Sequence, residues 1–302
     1  MEAPARPLRS LAWPAFHNKT GNPYNRLLYE AVAAQGVAVD EFTPARALTG
    51  RYDVWHVHWP DDWLSIRDLG AALKQGLGTL VLLAWARLRG ARIVWTVHNL
   101  GPHESCHPGM ARAFWPLFLR QVDGFISLSE HGKLAARRAF PALRDVPGFV
   151  VPHGHYRPAY PNEMSREEAR AALDLDPEAP VLLYIGRVRA YKNVPHLVRT
   201  FRAMRRGDAR LLVVGNPVSE ALRRDIEAAA EADARIQLAL RFIPDGAIQL
   251  YVSAADLVVL PYRDILHSGS ALLALSFDRP VMVPARGAME ELQAHVGPDS
   301  VH

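Results

Sequence analysis

The chain has 302 residues, of which 49% are apolar, 22% charged and 9% aromatic. That is about twice the ~150 residues of a typical domain, so two α/β domains are expected, and neither wholesale disorder nor, with Cys106 the single cysteine, a disulfide-stapled scaffold fits. The net charge of +4 sits in the first half, where residues 1–155 hold 17 Lys and Arg against 12 Asp and Glu, while residues 156–302 hold 18 against 19. Such an excess suits an anionic substrate or lipid surface, or it serves solubility alone.

Leu8–Trp13 is predicted as the first strand, with a polar loop after it and a helix from about Pro23 to Gln35, where proline fits the first turn. Val37–Phe42 and Asp53–Trp59 read as strands, and Asp62–Arg89 as one long helix. Inside that helix Leu77–Ala86 is the most apolar stretch, flanked by Lys74 and Arg87. At about ten residues it is short of the ~20 that span a bilayer, which leaves a buried helix or a membrane-facing one. Ala91–Val97, Gly124–Leu128 and Phe149–Pro152 are further strands, and Ser129 caps a helix running to about Phe140. The proline-rich stretch Pro152–Asn162 is the expected linker, placing domains at 1–155 and 156–302.

Ser165-Arg-Glu-Glu168 has capping-box spacing. A second series follows: strands Val181–Ile185, Arg210–Val214, Arg235–Leu240, Asp256–Leu260 and Pro280–Val283, with helices Pro195–Arg205, Val218–Glu231, Asp245–Ser253 and Ser268–Phe277 between them. Two β/α series predict two Rossmann-like, doubly wound parallel sheets facing across a cleft. Ligands of such sheets bind beyond the strand C-termini. No charged segment followed by an apolar one opens the chain, so a cytoplasmic protein is expected, in contact with the inner face of the membrane if the basic half and the apolar helix act there. No basic run interleaved with aromatics points to nucleic acid.

The chemistry-bearing windows lie at strand ends. Gly186-Arg-Val-Arg-Ala-Tyr-Lys192 joins a glycine turn to cations that can hold phosphate. Pro261-Tyr-Arg-Asp-Ile-Leu-His-Ser-Gly-Ser270 opens a helix whose free N–H groups can cradle a diphosphate, with Tyr262, Asp264, Ser268, Gly269 and Ser270 as candidates. Neither a P-loop nor a dinucleotide glycine fingerprint is present. His56 and His58 end one strand and His98, His103 and Glu104 another; His58, His98, His103 and Glu104 are candidate acid/base or phosphate-contacting groups, and His56 with His58 can also chelate a metal. Asn18, Thr20, Asn22 and Tyr24 can reach a bound acceptor. Asp174-Leu-Asp176 has the look of a metal pair but sits in a polar turn.

In this order the windows resemble the two-domain GT-B glycosyltransferases that use nucleotide sugars, and the likeness spans nearly the whole chain. Gly186, Arg187 and Lys192 match that family's donor-diphosphate loop. Phe242–Asp245, Leu250–Pro261 and Arg279–Val283 match the stretches around its donor helix, and Asp53–His58, Thr96–His98, Ile126–Glu130 and Val150–Gly154 its N-terminal strands. The resemblance implies transfer of a hexose-type sugar from a nucleoside diphosphate to a carbohydrate, lipid-linked or small-molecule acceptor, without metal or other cofactor. The family's paired glutamates are missing, since Ile265 and Leu273 occupy their positions and Asp264 lies one residue from the first. An inverting enzyme then needs a base, for which His98, His103 and Glu104 are the candidates. Two rival readings stand beside this one, a non-catalytic sugar-nucleotide-binding subunit and a metal hydrolase built on the histidines. Members of the family usually continue past the strand at Val283, so the second domain is expected to be short at its C-terminus.

Overall fold

The computed structural model describes residues 6–17, 22–101, 106–231 and 233–302. These divide into two compact units, one ending at Gly154 and one beginning at His155, with Asn22 counted in the second.

The first unit contains β1 (Arg9–Trp13), α1 (Tyr24–Ala34), β2 (Ala38–Glu41), α2 (Pro44–Thr49), β3 (Val54–Val57), α3 (Leu69–Leu88), β4 (Arg92–Val97), α4 (Pro108–Leu119), β5 (Gly124–Ser127), α5 (Glu130–Ala139) and β6 (Gly148–Val150). Among the described residues its sheet has six strands in the order β2-β1-β3-β4-β5-β6, every neighbouring pair parallel. The order reverses between β1 and β3. The second unit contains α6 (Arg166–Ala172), β7 (Val181–Ile185), α7 (Val194–Ala203), β8 (Arg210–Val214), α8 (Glu220–Ala230), β9 (Ile236–Ala239), α9 (Ile248–Ala254), β10 (Leu257–Val259), α10 (Gly269–Ser276), β11 (Val281–Met282) and α11 (Ala288–Val296). Its five described strands run β11-β10-β7-β8-β9, again all parallel, and the order reverses between β7 and β10. Each unit is therefore a doubly wound sheet, whose ligand position lies outside the strand C-termini at the reversal.

Local chemistry explains most of the elements. β7 and β8 are continuous apolar runs, as strands covered on both faces require, with Leu183 and Leu211 fully buried. Ser129, Ser219 and Ser268 each cap a helix by accepting a backbone N–H, and Ser165 with Glu168 forms a full capping box. Asp174 takes a left-handed backbone and Asp176 accepts from the Glu178 N–H at 2.9 Å, which makes this pair a turn.

Three expectations need correction. The helix predicted over Asp62–Arg89 is broken: Asp62–Ser65 is a single 3₁₀ turn, and α3 starts afresh where Asp68 accepts from the Ala71 N–H at 2.7 Å. Buried Trp63, donating to the Pro60 carbonyl at 3.0 Å, anchors the break. The helices α2 and α4 were not predicted. Thr43 caps α2, and α4 persists through Pro116 because Phe114 and Phe118 pack into the core around Trp95. α11 also lies beyond the elements expected.

An ionic node around buried Arg170 cross-links elements of the second unit. Arg170, fully buried, donates to the carbonyls of Pro177, Ala179 and Ala254 and pairs with Asp256 at 2.7 Å. Asp256 also accepts from the Val181 N–H at 2.8 Å, which ties α6 to the start of β7, the strand that ends before Gly186.

Candidate active-site groups in the two units

In the first unit the strand ends aim three histidines at one tyrosine. His58 follows β3 and His98 follows β4. Their rings are hydrogen-bonded Nδ1 to Nε2 at 2.8 Å, and His58 Nε2 meets the Tyr29 hydroxyl at 2.6 Å. The Tyr24 ring on α1 meets His98 edge-on at 5.2 Å and lies 4.6 Å from His153, while Trp59 stacks on His98 at 4.4 Å. His56 lies on the same side of β3, 4.5 Å from the His58 ring, and bonds Thr96 Oγ1 at 2.7 Å. The bonds of His58 to Tyr29 and His98, and that of His56 Nε2 to Thr96, oppose chelation by this pair, and among the described residues no group of three His, Cys, Asp or Glu is placed to hold a metal.

Burial dominates the protonation of this cluster. It pushes His56 down to about 4, and it holds His58 well below the usual imidazole range with His56 and His98 adding to the effect. His153 is lowered by burial, against the opposing bond to the Gly154 carbonyl. Asp61, three residues beyond His58, is pushed up to about 6 by burial, with Asp62 adding and its own backbone opposing. His56, His58 and His153 are therefore held neutral near neutral pH.

A stability prediction follows from the sign of these shifts. An unfolded histidine binds a proton near ~6.5, but folded His56 resists protonation until about 4, so its stabilisation is complete above ~6.5 and is lost as pH falls towards 4. At pH ~5 the loss is about 2 kcal/mol from His56 alone, with His58 acting in the same direction. Urea midpoints measured between pH 7 and 5 check this. The acid slope should flatten in a His56→Asn, His58→Asn double variant, and an unchanged slope would refute the account.

In the second unit the reversal between β7 and β10 brings the two phosphate-type loops together. Gly186 leaves β7 at φ +134, a conformation suited to glycine, and a Cβ there would lie 2.6 Å from Ser270 Oγ and 3.4 Å from Lys192 Nζ. Gly215, leaving β8 at φ +142, lies against the Gly186 carbonyl so closely that it too must lack a side chain. Lys192 Nζ stands 5.1 Å over the Tyr262 ring, and the Tyr262 hydroxyl is buried with no hydrogen-bond partner among the described residues. Ser268 caps α10 at Ala271, the first-turn N–H groups of Gly269 and Ser270 lie outside the intrahelical ladder, and Ser270 Oγ flanks Gly186 together with Lys192. Arg187 is exposed and makes no ion pair or hydrogen bond through its guanidinium among the described residues.

Of the residues expected on the donor side, Gly186, Lys192, Tyr262, Ser268, Gly269 and Ser270 converge. Asp264 does not join them through any described hydrogen bond; it is exposed on the loop. Leu273, at the second missing glutamate position, is buried in α10. On the acceptor side Tyr24, His58 and His98 meet, whereas Asn22 counts with the second unit, its amide oxygen accepting from Tyr156 at 3.2 Å. Asn18, Thr20, His103 and Glu104 lie outside the described residues. The sequence reading missed Tyr29, Trp59, Gly215 and Tyr156, whose hydroxyl would lie 3.1 Å from a Cβ at Gly269, a tight contact.

Comparison with known proteins gives this geometry a family. Residues 179–298 match the model described as glycosyl transferases group 1. A GDP-mannose:glycolipid 4-beta-D-mannosyltransferase of Xanthomonas campestris pv. campestris is 33% identical over 283 residues, 93% of this chain and 75% of that protein. The chain belongs to the group 1 glycosyltransferases. A more distant relative, the D-inositol 3-phosphate glycosyltransferase of Nocardia farcinica, is 29% identical over 81% of this chain, which spans 54% of that protein. Among solved structures, sucrose-phosphate synthase from Thermosynechococcus elongatus aligns with a TM-score of 0.71 over 95% of this chain and 83% of that one, at 19% identity, a likeness of GT-B fold. This glycosyltransferase is an enzyme of sugar transfer, and nothing in the comparisons supports the hydrolase reading.

Proposed function

We propose that this glycosyltransferase moves a mannosyl group from GDP-mannose to a hydroxyl of a lipid-linked acceptor, with inversion at the anomeric carbon. The observation that carries the donor half is the meeting of Lys192, Gly186 and the N-terminus of α10 at the reversal of the second sheet. A lysine, first-turn N–H groups and a neighbouring exposed arginine together match the charge of a diphosphate. No metal is called for in this reading, because these groups carry the charge that a divalent ion would otherwise neutralise.

The sugar, the linkage and the acceptor class are taken from the Xanthomonas relative, whose name describes β-mannosyl transfer from GDP-mannose to a glycolipid. GDP-mannose carries its sugar in α linkage, so a β product requires inversion. The missing glutamate pair agrees, since Ile265 and Leu273 offer the sugar no carboxylate. Inversion needs a base at the acceptor hydroxyl, and His98 takes that role with Tyr24 and His58 around it.

A thermal-shift series with GDP-mannose, GDP-glucose, UDP-glucose and TDP-glucose tests the donor. A ligand at ~100 times its dissociation constant stabilises the protein by about 2.7 kcal/mol, a shift of several degrees. GDP-mannose should give the largest shift, and the product on a glycolipid acceptor should be β-linked. A shift confined to UDP-sugars, or an α-linked product, overturns the proposal.

A further inference from the structure

We propose that the outward face of α3 is a lipid-binding surface that seats the first unit on an anionic membrane. The helix is inverted relative to an ordinary surface helix. Its buried positions are mostly small, namely Ala72, Gly76, Thr79, Leu83 and Ala86, and Gly76 lies directly against the Trp63 ring. Leu83 is buried and Leu80 and Leu82 pack partly against the core, while six of its large apolar side chains point to solvent: Leu69, Leu73, Leu77, Val81, Trp85 and Leu88 are 58%, 48%, 53%, 66%, 38% and 84% exposed. Spaced by four residues and then three, they make one stripe along a helix of 20 residues, about 30 Å long. Scattered exposed leucines are ordinary, but a continuous stripe marks a surface that something apolar covers.

Charge identifies what covers it. α3 contains no Asp or Glu. Lys74 lies within the stripe and Arg67 just before the helix, both exposed. α4 packs beside α3 and adds exposed Arg112, Leu117 and Arg120. Among the described residues none of these four cations forms an ion pair. An apolar stripe edged by uncommitted cations fits acyl chains beneath anionic headgroups. By length and composition α3 could cross a membrane, but it connects β3 to β4 of one sheet and buries its opposite face against the unit. It therefore lies along the surface. The surface gives a purpose to the lipid-linked acceptor proposed above, yet its test contains neither donor nor acceptor, so either reading can fail without the other.

The test is co-sedimentation of the whole chain with vesicles of phosphatidylcholine, alone or mixed with phosphatidylglycerol. The protein should pellet with the mixed vesicles, less so as salt is raised, and only weakly with phosphatidylcholine. A Leu77→Glu, Val81→Glu variant changes two exposed positions and should keep its melting temperature and its donor-induced thermal shift, while its vesicle affinity falls roughly tenfold or more. Arg67→Glu with Lys74→Glu should weaken binding to the anionic vesicles alone. The proposal is overturned if the protein stays in the supernatant, if it binds both vesicle types equally, or if the Leu77, Val81 variant binds like the wild type. It is equally overturned if light scattering finds a dimer that this variant dissolves while vesicles are ignored, because a second copy then covers the stripe.

Discussion

Lys192→Ala lowers kcat/KM for sugar transfer by about 10²- to 10³-fold, the range found when one preorganised group facing developing charge is removed. When the bond between the anomeric carbon and the donor phosphate breaks, its electron pair leaves with the diphosphate, and in the proposed donor site Lys192 meets that charge. Its amine stands over the Tyr262 ring, which holds the ammonium in place before any ligand arrives. The exposed Arg187 next to Gly186 should matter less for the chemical step and more for capture, so Arg187→Lys raises the donor KM while leaving kcat nearly intact. Gly186→Ala should be inactive for a different reason: the added methyl meets Ser270 Oγ in a backbone conformation that L-residues avoid. Steady-state rates with the donor varied, alongside thermal melts of each variant, separate these cases. A loss smaller than about threefold in Lys192→Ala, under ~0.7 kcal/mol of transition-state stabilisation, would remove Lys192 from the donor site.

The residues that made the proposed donor loop legible are those whose type is dictated by local backbone. Gly186 after an apolar strand, and serines before an apolar helix, declare a turn and a cap whatever the rest of the chain does. Gly215 could not be read this way, because its need for a bare Cα comes from the Gly186 carbonyl on the neighbouring strand, a contact that exists only once β7 and β8 pair. Tyr29 was missed for a related reason. On an amphipathic helix it looks like any core aromatic, and its hydroxyl acquires a role only when β3 brings His58 to it. α4 shows tertiary packing overriding a local signal, since Pro116 argues against a helix that Phe114 and Phe118 nevertheless stabilise. The apolar stretch in α3 left two readings open: one face of the helix is buried against the unit, and a membrane role for the other face rests on the proposal above. A helix apolar on every side does not reveal which face is covered, and here the side that meets the unit is the one with the smaller residues.

His98→Ala should lower kcat by about 10²- to 10⁴-fold, the usual contribution of a positioned general base, while leaving the GDP-mannose thermal shift unchanged. In the proposed inverting reaction the acceptor oxygen would form its bond to the anomeric carbon as the phosphate leaves, and the hydroxyl proton would pass to His98. The bonds beneath the ring decide whether it can accept. If Tyr29 donates to His58 Nε2 and His58 Nδ1–H donates to His98 Nε2, neutral His98 carries its proton on Nδ1 and has no lone pair left to offer. If the chain runs the other way, His98 Nε2–H donates to His58 Nδ1, His58 Nε2–H donates to the Tyr29 oxygen, and His98 Nδ1 is basic. The depressed basicity of His58 favours neither direction by itself but keeps the relay neutral until a proton arrives. In this proposal Tyr29 and His58 are positioning residues, and their variants should act through the tautomer of His98. Tyr29→Phe removes the acceptor that holds the productive direction. It should cut kcat roughly tenfold, about 1.4 kcal/mol, and shift the acid limb of the kcat profile, with the donor KM unchanged. A purely structural tyrosine would instead lower the melting temperature and leave the shape of that profile alone. The acid limb should vanish in His98→Ala, and its survival there would move the base to another group, with Asp61 the first to test since burial has already raised its carboxyl to about 6.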